Sequence, residues 1–269
     1  MSIGKLQDKT YSKEMVRQSF DGAAQGYNDF TSLQRLIGDR LMTHGVLKQH
    51  SFSSVLDIGS GTGYLTNKLS HLSGVDQLYA LDIAVGMLYQ TRHHLGEYQA
   101  KGLICADAEC LPFNEGVFDM MTSNLAFQWC ENLEAVFRQA YRVLHSSGAL
   151  VFSTFGPTTL FELKESWGAV DEAVHVNSFV DVDVIRQNLQ LAGFKNITIV
   201  SDDIVRYYES PKALMRSLKG MGAHNMNRGR RLGLTGVQTF KAMLNTYECL
   251  RTEQGIPATF QAVYVSANK

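Results

Sequence analysis

The segment VLDIGSGTGYL, residues 55–65, gives the clearest indication of how this chain folds. An apolar run of strand character carries Asp57 near its end, and glycine then occupies every second position, at Gly59, Gly61 and Gly63. Glycine permits a sharp turn and lets a ligand approach the backbone closely. The segment therefore predicts a buried strand, a glycine-rich turn and a helix, the connection at which open parallel sheets bind their ligands.

Apolar segments of strand length alternate with segments of helical period along the rest of the chain. Strands are predicted over 54–59, 77–83, 102–107, 118–124, 148–155, 196–208 and 258–267. Helices are predicted over 65–73, 86–98 and 131–144. This alternation indicates a mostly parallel sheet with helices on both faces.

Composition excludes several functional classes. The 269 residues carry a formal net charge of -1, so no overall attraction to nucleic acid or to an anionic membrane is expected. No apolar stretch approaches the roughly 18 residues that a membrane span needs. The four cysteines are scattered without a zinc-like spacing, which favours free thiols, a cytoplasmic location and no metal site.

The glycine turn is more suitable for a cationic ligand than for a dinucleotide. The dinucleotide pattern G-x-G-x-x-G needs a sixth-position glycine, where this chain has Tyr64. Asp57 would repel a pyrophosphate but would attract an ammonium group. A nicotinamide oxidoreductase is therefore disfavoured, although a plain tight turn without a ligand stays open as an alternative.

Two more acids follow the next two predicted strands. Asp82 ends the second strand, where a carboxylate can accept hydrogen bonds from vicinal ribose hydroxyls. Asp107 follows the third strand and could accept from an exocyclic amine, while the backbone N–H of Ala108 donates to a ring nitrogen. The three acids would thus serve an ammonium, a ribose and a base.

These motifs resemble the class I S-adenosylmethionine-dependent methyltransferases over about residues 50–155. The resemblance rests on D-x-G-x-G-x-G, the strand-end acid and the turn DAECLPF, and SNLAFQWC (123–130) resembles the segment that closes over the donor. It implies an α/β Rossmann-like fold with a seven-stranded, mostly parallel sheet, an antiparallel last strand and helical lid insertions. It also implies S-adenosylmethionine as methyl donor, held by Asp57, Gly59, Gly61, Gly63, Asp82, Ile83, Met87, Asp107, Ala108, Asn124 and Tyr27.

A narrower resemblance extends over nearly the whole chain. SNLAFQWCENLEAVFRQAYRVL, FGPTTLFELKESWGAVDEAVHVNSF and ALMRSLKGMGAHN are similar to the malonyl-[acyl-carrier protein] O-methyltransferases of biotin synthesis. That family implies methylation of the free carboxylate of a malonyl thioester, with malonyl-phosphopantetheine on an acyl carrier protein, or malonyl-CoA, as the partner. The alternative is a methyltransferase of another small molecule, such as a quinone-type ring.

Three regions are expected: an N-terminal helical flap over 1–45, a donor-binding core over 46–155, and the rest of the sheet over 156–269. The last region should contain two lid segments, at about 157–192 and 210–256. Within the flap, Tyr27 is a candidate near the methionine end, and a plain core tyrosine is the alternative. The candidates for substrate binding are Arg216, Lys219, Trp129 and His175.

The second lid segment is basic. Between Ser210 and Thr246 the chain has no Asp or Glu, but it has seven Lys and Arg residues. A solvated face, RNA and an acidic carrier protein are the alternatives. RNA is disfavoured because 212–239 contains no Phe, Tyr or Trp on which bases could stack. The residues expected to contact a carrier protein are Arg228, Arg230 and Arg231.

Overall fold

The structure is a computed structural model that describes residues 12–43, 52–96, 100–223 and 236–269. Its centre is one sheet of seven strands in the order β3-β2-β1-β4-β5-β7-β6. The strands are β1 (Ser54–Ile58), β2 (Gln77–Asp82), β3 (Gly102–Cys105), β4 (Phe118–Asn124), β5 (Leu144–Phe155), β6 (Lys195–Tyr208) and β7 (Ile256–Asn268). β1 to β5 are parallel, whereas β7 runs antiparallel between β5 and β6. The fold predicted from the sequence is confirmed.

Both faces of the sheet are covered, because the central strands are apolar on both sides. In β1, Val55 faces one core layer, whereas Leu56 and Ile58 face the other. The described helices are α1 (Lys13–Ala23), α2 (Ser32–Met42), α3 (Tyr64–Ser70), α4 (Val85–Leu95), α5 (Leu133–Val143), α6 (Phe161–Gly168), α7 (Val182–Ala192), α8 (Pro211–Gly220) and α9 (Val237–Glu248). Continuous apolar strands of this kind are typical of a parallel sheet between helical layers.

Local sequence signals place the ends of several helices. Asn132 caps α5 by accepting a hydrogen bond from the backbone N–H of Ala135 at 3.0 Å. Ser210 caps α8 in the same way, and Pro211 occupies the first turn, where a missing N–H is harmless. Gly193 ends α7 with a φ of 103°, a conformation that favours glycine.

The structure divides the first expected lid segment. Helix α6 and the chain up to Phe179 contribute to the wall of a central cavity. In α7, however, Ile185 and Leu189 are buried in the same core layer as Phe137 of α5. Residues 182–192 therefore belong to the helices that cover this face of the sheet and not to a lid. The amphipathic pattern of α7 is equally typical of either position, so the sequence could not separate them.

The N-terminal region and the second lid segment lie on the cavity side. Residues of α1, of the single helical turn Tyr27–Phe30 and of α2 line the cavity, as do residues of α8. Helix α9 packs against α6 and α8 behind this wall. The cavity is thus enclosed between the carboxyl ends of the strands and helices from both ends of the chain.

Candidate active site

The glycine turn after β1 has the conformation that its sequence predicts. Gly59, Gly61 and Gly63 have φ values of 67°, 55° and 87°, which strongly favour glycine. The backbone N–H of Gly59 donates to the carbonyl of Leu81 at 2.7 Å, which anchors the turn to β2. A Cβ on Gly59 would overlap the Cβ of Ala126. The turn is therefore held in place by its neighbours, and the backbone of Gly59 and Gly61 forms part of the cavity wall.

Asp82 lies in the cavity wall at the end of β2 and is only 7% exposed. Its carboxylate accepts hydrogen bonds from the backbone N–H of Gly61 and of Ala84, both at 2.9 Å. Burial raises the pKa of this carboxyl to about 6, although the two backbone hydrogen bonds oppose the shift. Each oxygen retains a second lone pair, so the carboxylate can also accept from the hydroxyls of a ligand.

Asp57 has a different position from the one expected. It is 1% exposed and is not among the residues lining the cavity, which include the next two, Ile58 and Gly59. Its Oδ2 accepts from the hydroxyl of Thr66 at 2.5 Å, while its Oδ1 is buried without a hydrogen-bond partner. Burial raises the pKa of Asp57 to about 7. The Asp57 carboxyl therefore lies behind the glycine turn and does not line the cavity itself.

Lys13 occupies the end of the cavity where Asp107 and Ala108 lie. Its ammonium contacts Asp107 Oδ2 at 2.5 Å and Glu109 Oε2 at 2.9 Å. Burial lowers the pKa of Lys13, but the two carboxylates outweigh burial and hold this pKa above its ordinary value. In this structure a lysine therefore takes one of the Asp107 oxygens expected to accept from an exocyclic amine. No local sequence pattern indicates this contact, because 94 residues separate Lys13 from Asp107.

Three further donor-site candidates line the cavity, and Gly63 does not. Ile83 and Met87 line it near Asp82, and Gly63 stays outside the wall because Thr91 packs against it. Asn124 lines it too, but its side chain donates to the carbonyl of Gln34 at 3.0 Å and accepts from Ser153 at 2.7 Å. This bonding shows a structural use of Asn124, which ties α2 to the sheet.

Tyr27 lies in the cavity wall, in the turn between α1 and α2. Burial raises the pKa of its phenol above the ordinary value, and the nearby Asp82 carboxylate adds to this effect. Phe20 packs edge-on against Tyr27, with ring centroids 6.3 Å apart. Tyr27 therefore faces the same part of the cavity as Asp82.

The structure separates the four residues predicted to bind substrate. Trp129, His175 and Lys219 line the cavity, whereas Arg216 is exposed and is not among the lining residues. Helical geometry explains the difference, since Met215, Leu218 and Lys219 form one face of α8 at i, i+3 and i+4. Arg228, Arg230 and Arg231 lie outside the described residues.

A carboxylate partner for His175 was missed in the sequence. Asp171 Oδ2 lies 3.1 Å from His175 Nε2, and the two residues stand four apart in the chain. A spacing of four residues can bring two side chains together even outside a regular helix. This D-x-x-x-H spacing is the signal that could have revealed the pair.

The central cavity has a volume of ≈ 320 Å³ and a predominantly apolar lining. Such a volume and lining are typical of small-molecule sites with a few orienting polar groups. No group of three or more His, Cys, Asp or Glu side chains suitable for a metal occurs among the described residues. Within the same ranges, none of the helices is long and apolar enough to cross a membrane.

The residues present fit an adenosyl donor with a cationic end. The unpartnered Asp57 Oδ1 and the buried Asp82 carboxylate provide negative charge beside the glycine turn. Burial raises the pKa of both carboxyls, and a cationic ligand beside them would favour their ionised forms. Gly61 leaves the backbone uncovered, because even an added Cβ there would meet only Tyr27, at 3.9 Å.

Comparison with known proteins first defines the class. Residues 56–152 match the methyltransferase domain family. The crystal structure of the YcgJ protein from Bacillus subtilis matches 87% of this chain and 97% of its own, with a TM-score of 0.59 and 16% identity, which establishes the fold. The fold, the glycine turn and the strand-end acids thus define a class I S-adenosylmethionine-dependent methyltransferase.

Two curated relatives narrow the assignment. The malonyl-[acyl-carrier protein] O-methyltransferase of Laribacter hongkongensis is 40% identical over 260 residues, covering 94% of this chain and 88% of the relative. The biotin biosynthesis bifunctional protein BioHC of Saccharophagus degradans is 40% identical over 258 residues, and the match spans 93% of this chain but 45% of that protein. The chain belongs to the malonyl-[acyl-carrier protein] O-methyltransferase family.

Proposed function

We propose that this enzyme transfers the methyl group of S-adenosylmethionine to the free carboxylate of a malonyl thioester. The product is the methyl ester that primes pimeloyl synthesis for biotin. The observation that carries the proposal is the identity of 40% over 94% of the chain, since it includes the lid segments as well as the donor-binding core. The donor-binding core alone would support only the general class.

The donor is proposed to lie along the carboxyl ends of β1, β2 and β3. Asp82 accepts from its ribose hydroxyls, while Ile83 and Met87 border the adenine. Asp107 and the N–H of Ala108 face the adenine edge, so the Lys13 ammonium has to share or release Asp107 when the donor binds. The Gly59–Gly63 turn and Asp57 provide a negative environment for the methionine end, beside Tyr27.

The chemistry needs alignment and not a base. A bound sulfonium donor supplies an electrophilic methyl carbon. A carboxylate oxygen of the substrate forms the new bond to that carbon as the carbon–sulfur bond breaks and sulfur keeps the electron pair. No proton moves, because a carboxyl group with an ordinary pKa near 4 is already ionised at neutral pH. The residues therefore act by holding the two reactants in line at about 3 Å and by excluding water.

The acyl carrier protein is the proposed partner, with malonyl-CoA as the smaller alternative. In the second lid segment, Lys212, Arg216, Lys219 and Lys241 are all exposed. Arg228, Arg230 and Arg231 would add to the same charge. Exposed charges of one sign steer an oppositely charged partner and raise its association rate. With the free cysteines among the described residues, a cytoplasmic location is proposed as well.

A second candidate is methylation of another small molecule with an O–H or N–H nucleophile. The contact of Asp171 with His175, which lines the cavity, favours it, because a carboxylate-oriented imidazole can act as a general base. A substrate panel distinguishes the two. The formation of S-adenosylhomocysteine is measured with malonyl-pantetheine, acetyl-pantetheine and a small quinol. Turnover of malonyl-pantetheine alone supports the proposal, whereas turnover of the quinol alone supports the second candidate.

A further inference from the structure

His175, which lines the cavity, is held in a fixed orientation by Trp167 and Asp171. The imidazole of His175 stacks on the indole of Trp167, with ring centroids 3.6 Å apart and planes inclined by 11°. Asp171 Oδ2 holds Nε2 at 3.1 Å, and Asp171 Oδ1 accepts from the backbone N–H of Ala173 at 2.9 Å. The His175 and Asp171 side chains are only 11% and 14% exposed. The stacking on Trp167 and the hydrogen bond with Asp171 together fix the position of the His175 ring.

The side chains around His175 indicate which kind of ligand it can bind. Trp167 and His175 both line the cavity, and the neighbouring wall consists of apolar side chains such as Leu163, Phe179 and Phe260. A buried polar pair in an apolar wall costs stability unless its hydrogen bonds are satisfied. Because Asp171 occupies Nε2, a ligand that hydrogen-bonds to this ring would do so through Nδ1. Lys219, on α8, provides a cationic group in the same cavity wall.

The geometry points to His175 as the residue that binds the substrate carboxylate, with Asp171 and Trp167 as its positioning residues. This inference rests on the proposed function and adds the residue that distinguishes malonyl from uncharged acyl groups. In the imidazolium form both ring nitrogens donate, Nε2–H to Asp171 and Nδ1–H to a carboxylate oxygen of the ligand. A flat ring on Trp167 then places this donor at one point of the wall, where it orients the nucleophilic oxygen.

Two variants separate binding from simple structural support. His175→Phe keeps an aromatic ring on Trp167 but removes both N–H groups. Asp171→Asn keeps an oxygen that can accept from Nε2–H but removes the charge that orients an imidazolium. Glu172→Gln is the matched control, because it neutralises the adjacent carboxylate on an exposed side chain that does not line the cavity.

The experiment measures the affinities of malonyl-pantetheine and acetyl-pantetheine by calorimetry, with S-adenosylhomocysteine saturating. The wild type should bind malonyl-pantetheine at least about tenfold more tightly, as expected for one hydrogen bond between charged groups. His175→Phe should bring the ratio of the two affinities close to one, Asp171→Asn should reduce it, and Glu172→Gln should leave it unchanged. The affinity for S-adenosylhomocysteine itself should stay within about threefold in all variants.

A wild-type ratio retained in both His175→Phe and Asp171→Asn would overturn the inference. So would a parallel loss of both pantetheine affinities and of S-adenosylhomocysteine affinity, since that pattern means structural support only. If His175→Phe abolishes turnover without changing the malonyl affinity, His175 is a base and not an anchor, which also overturns it. Failure of the proposed function is distinguishable, because the wild type would then form no methyl ester from malonyl-pantetheine at all.

Discussion

Replacement of Asp82 tests the donor site most stringently. Asp82→Ala removes the carboxylate that is proposed to accept two hydrogen bonds from the ribose. Hydrogen bonds to a charged group contribute about 1.5–3 kcal/mol each, so two of them at the lower value give about 3 kcal/mol, or roughly a hundredfold loss of affinity. Asp82→Asn retains one accepting oxygen and should lose less, about tenfold.

The same substitution also removes two backbone contacts, to Gly61 and Ala84, so a control is needed for a loosened turn. Asp119 provides it. Its Oδ2 accepts from the backbone N–H groups of Ser53 and Ser54, both at 3.0 Å, at the opposite end of β1 from the cavity. Asp119→Ala should lower the melting temperature without changing donor affinity.

The assay is calorimetric titration of each variant with S-adenosylhomocysteine, with a melting curve for each. The expected order of affinity is wild type and Asp119→Ala together, then Asp82→Asn, then Asp82→Ala. A folded Asp82→Ala protein that binds within threefold of the wild type would refute the role of this carboxylate in ribose recognition.

Three further predictions concern stability, the glycine turn and the basic lid. The folded-state pKa of Asp57, about 7, lies above its unfolded value, so its stabilising contribution is complete below about pH 4 and is lost as pH rises through 7. The melting temperature of Asp57→Asn relative to the wild type should therefore increase between about pH 5 and 8, and a flat difference would contradict this pKa. Gly59→Ala should unfold at lower temperature and lose donor affinity, because its Cβ overlaps Ala126, whereas Gly22→Ala has open space in α1 and should lower neither the melting temperature nor the donor affinity. Charge reversal of the lid arginines should lower kcat/KM for carrier-bound malonyl but not for malonyl-pantetheine, and high salt should shrink the difference; equal losses on both substrates would exclude carrier docking by Arg228, Arg230 and Arg231.

The sequence predicted which residues of the glycine turn and of β2 lie at the cavity better than it predicted which residues of the lid segments do. The glycine turn and Asp82 lie in one local strand–turn–helix unit and at the adjacent strand end, so a short pattern determines their positions. The Lys13–Asp107 contact depends on how α1 docks, which no local pattern records. Arg216 and Lys219 lie on different faces of α8, and the packing of the helix determines which face meets the cavity. Asp171 and His175 lie in a chain segment without regular structure, where the spacing of two residues does not determine which way their side chains point.

The proposed function requires that the methyl group is transferred to the malonyl carboxylate. The direct measurement is mass spectrometry of malonyl-phosphopantetheinyl carrier protein after incubation with the enzyme and trideuteromethyl S-adenosylmethionine. We expect one trideuteromethyl group on the malonyl moiety, which mild alkali releases as trideuteromethanol, and no label on an acetyl-carrier control. A label that resists alkali, or a malonyl group that stays unlabelled while a small O–H or N–H substrate is methylated, would contradict it.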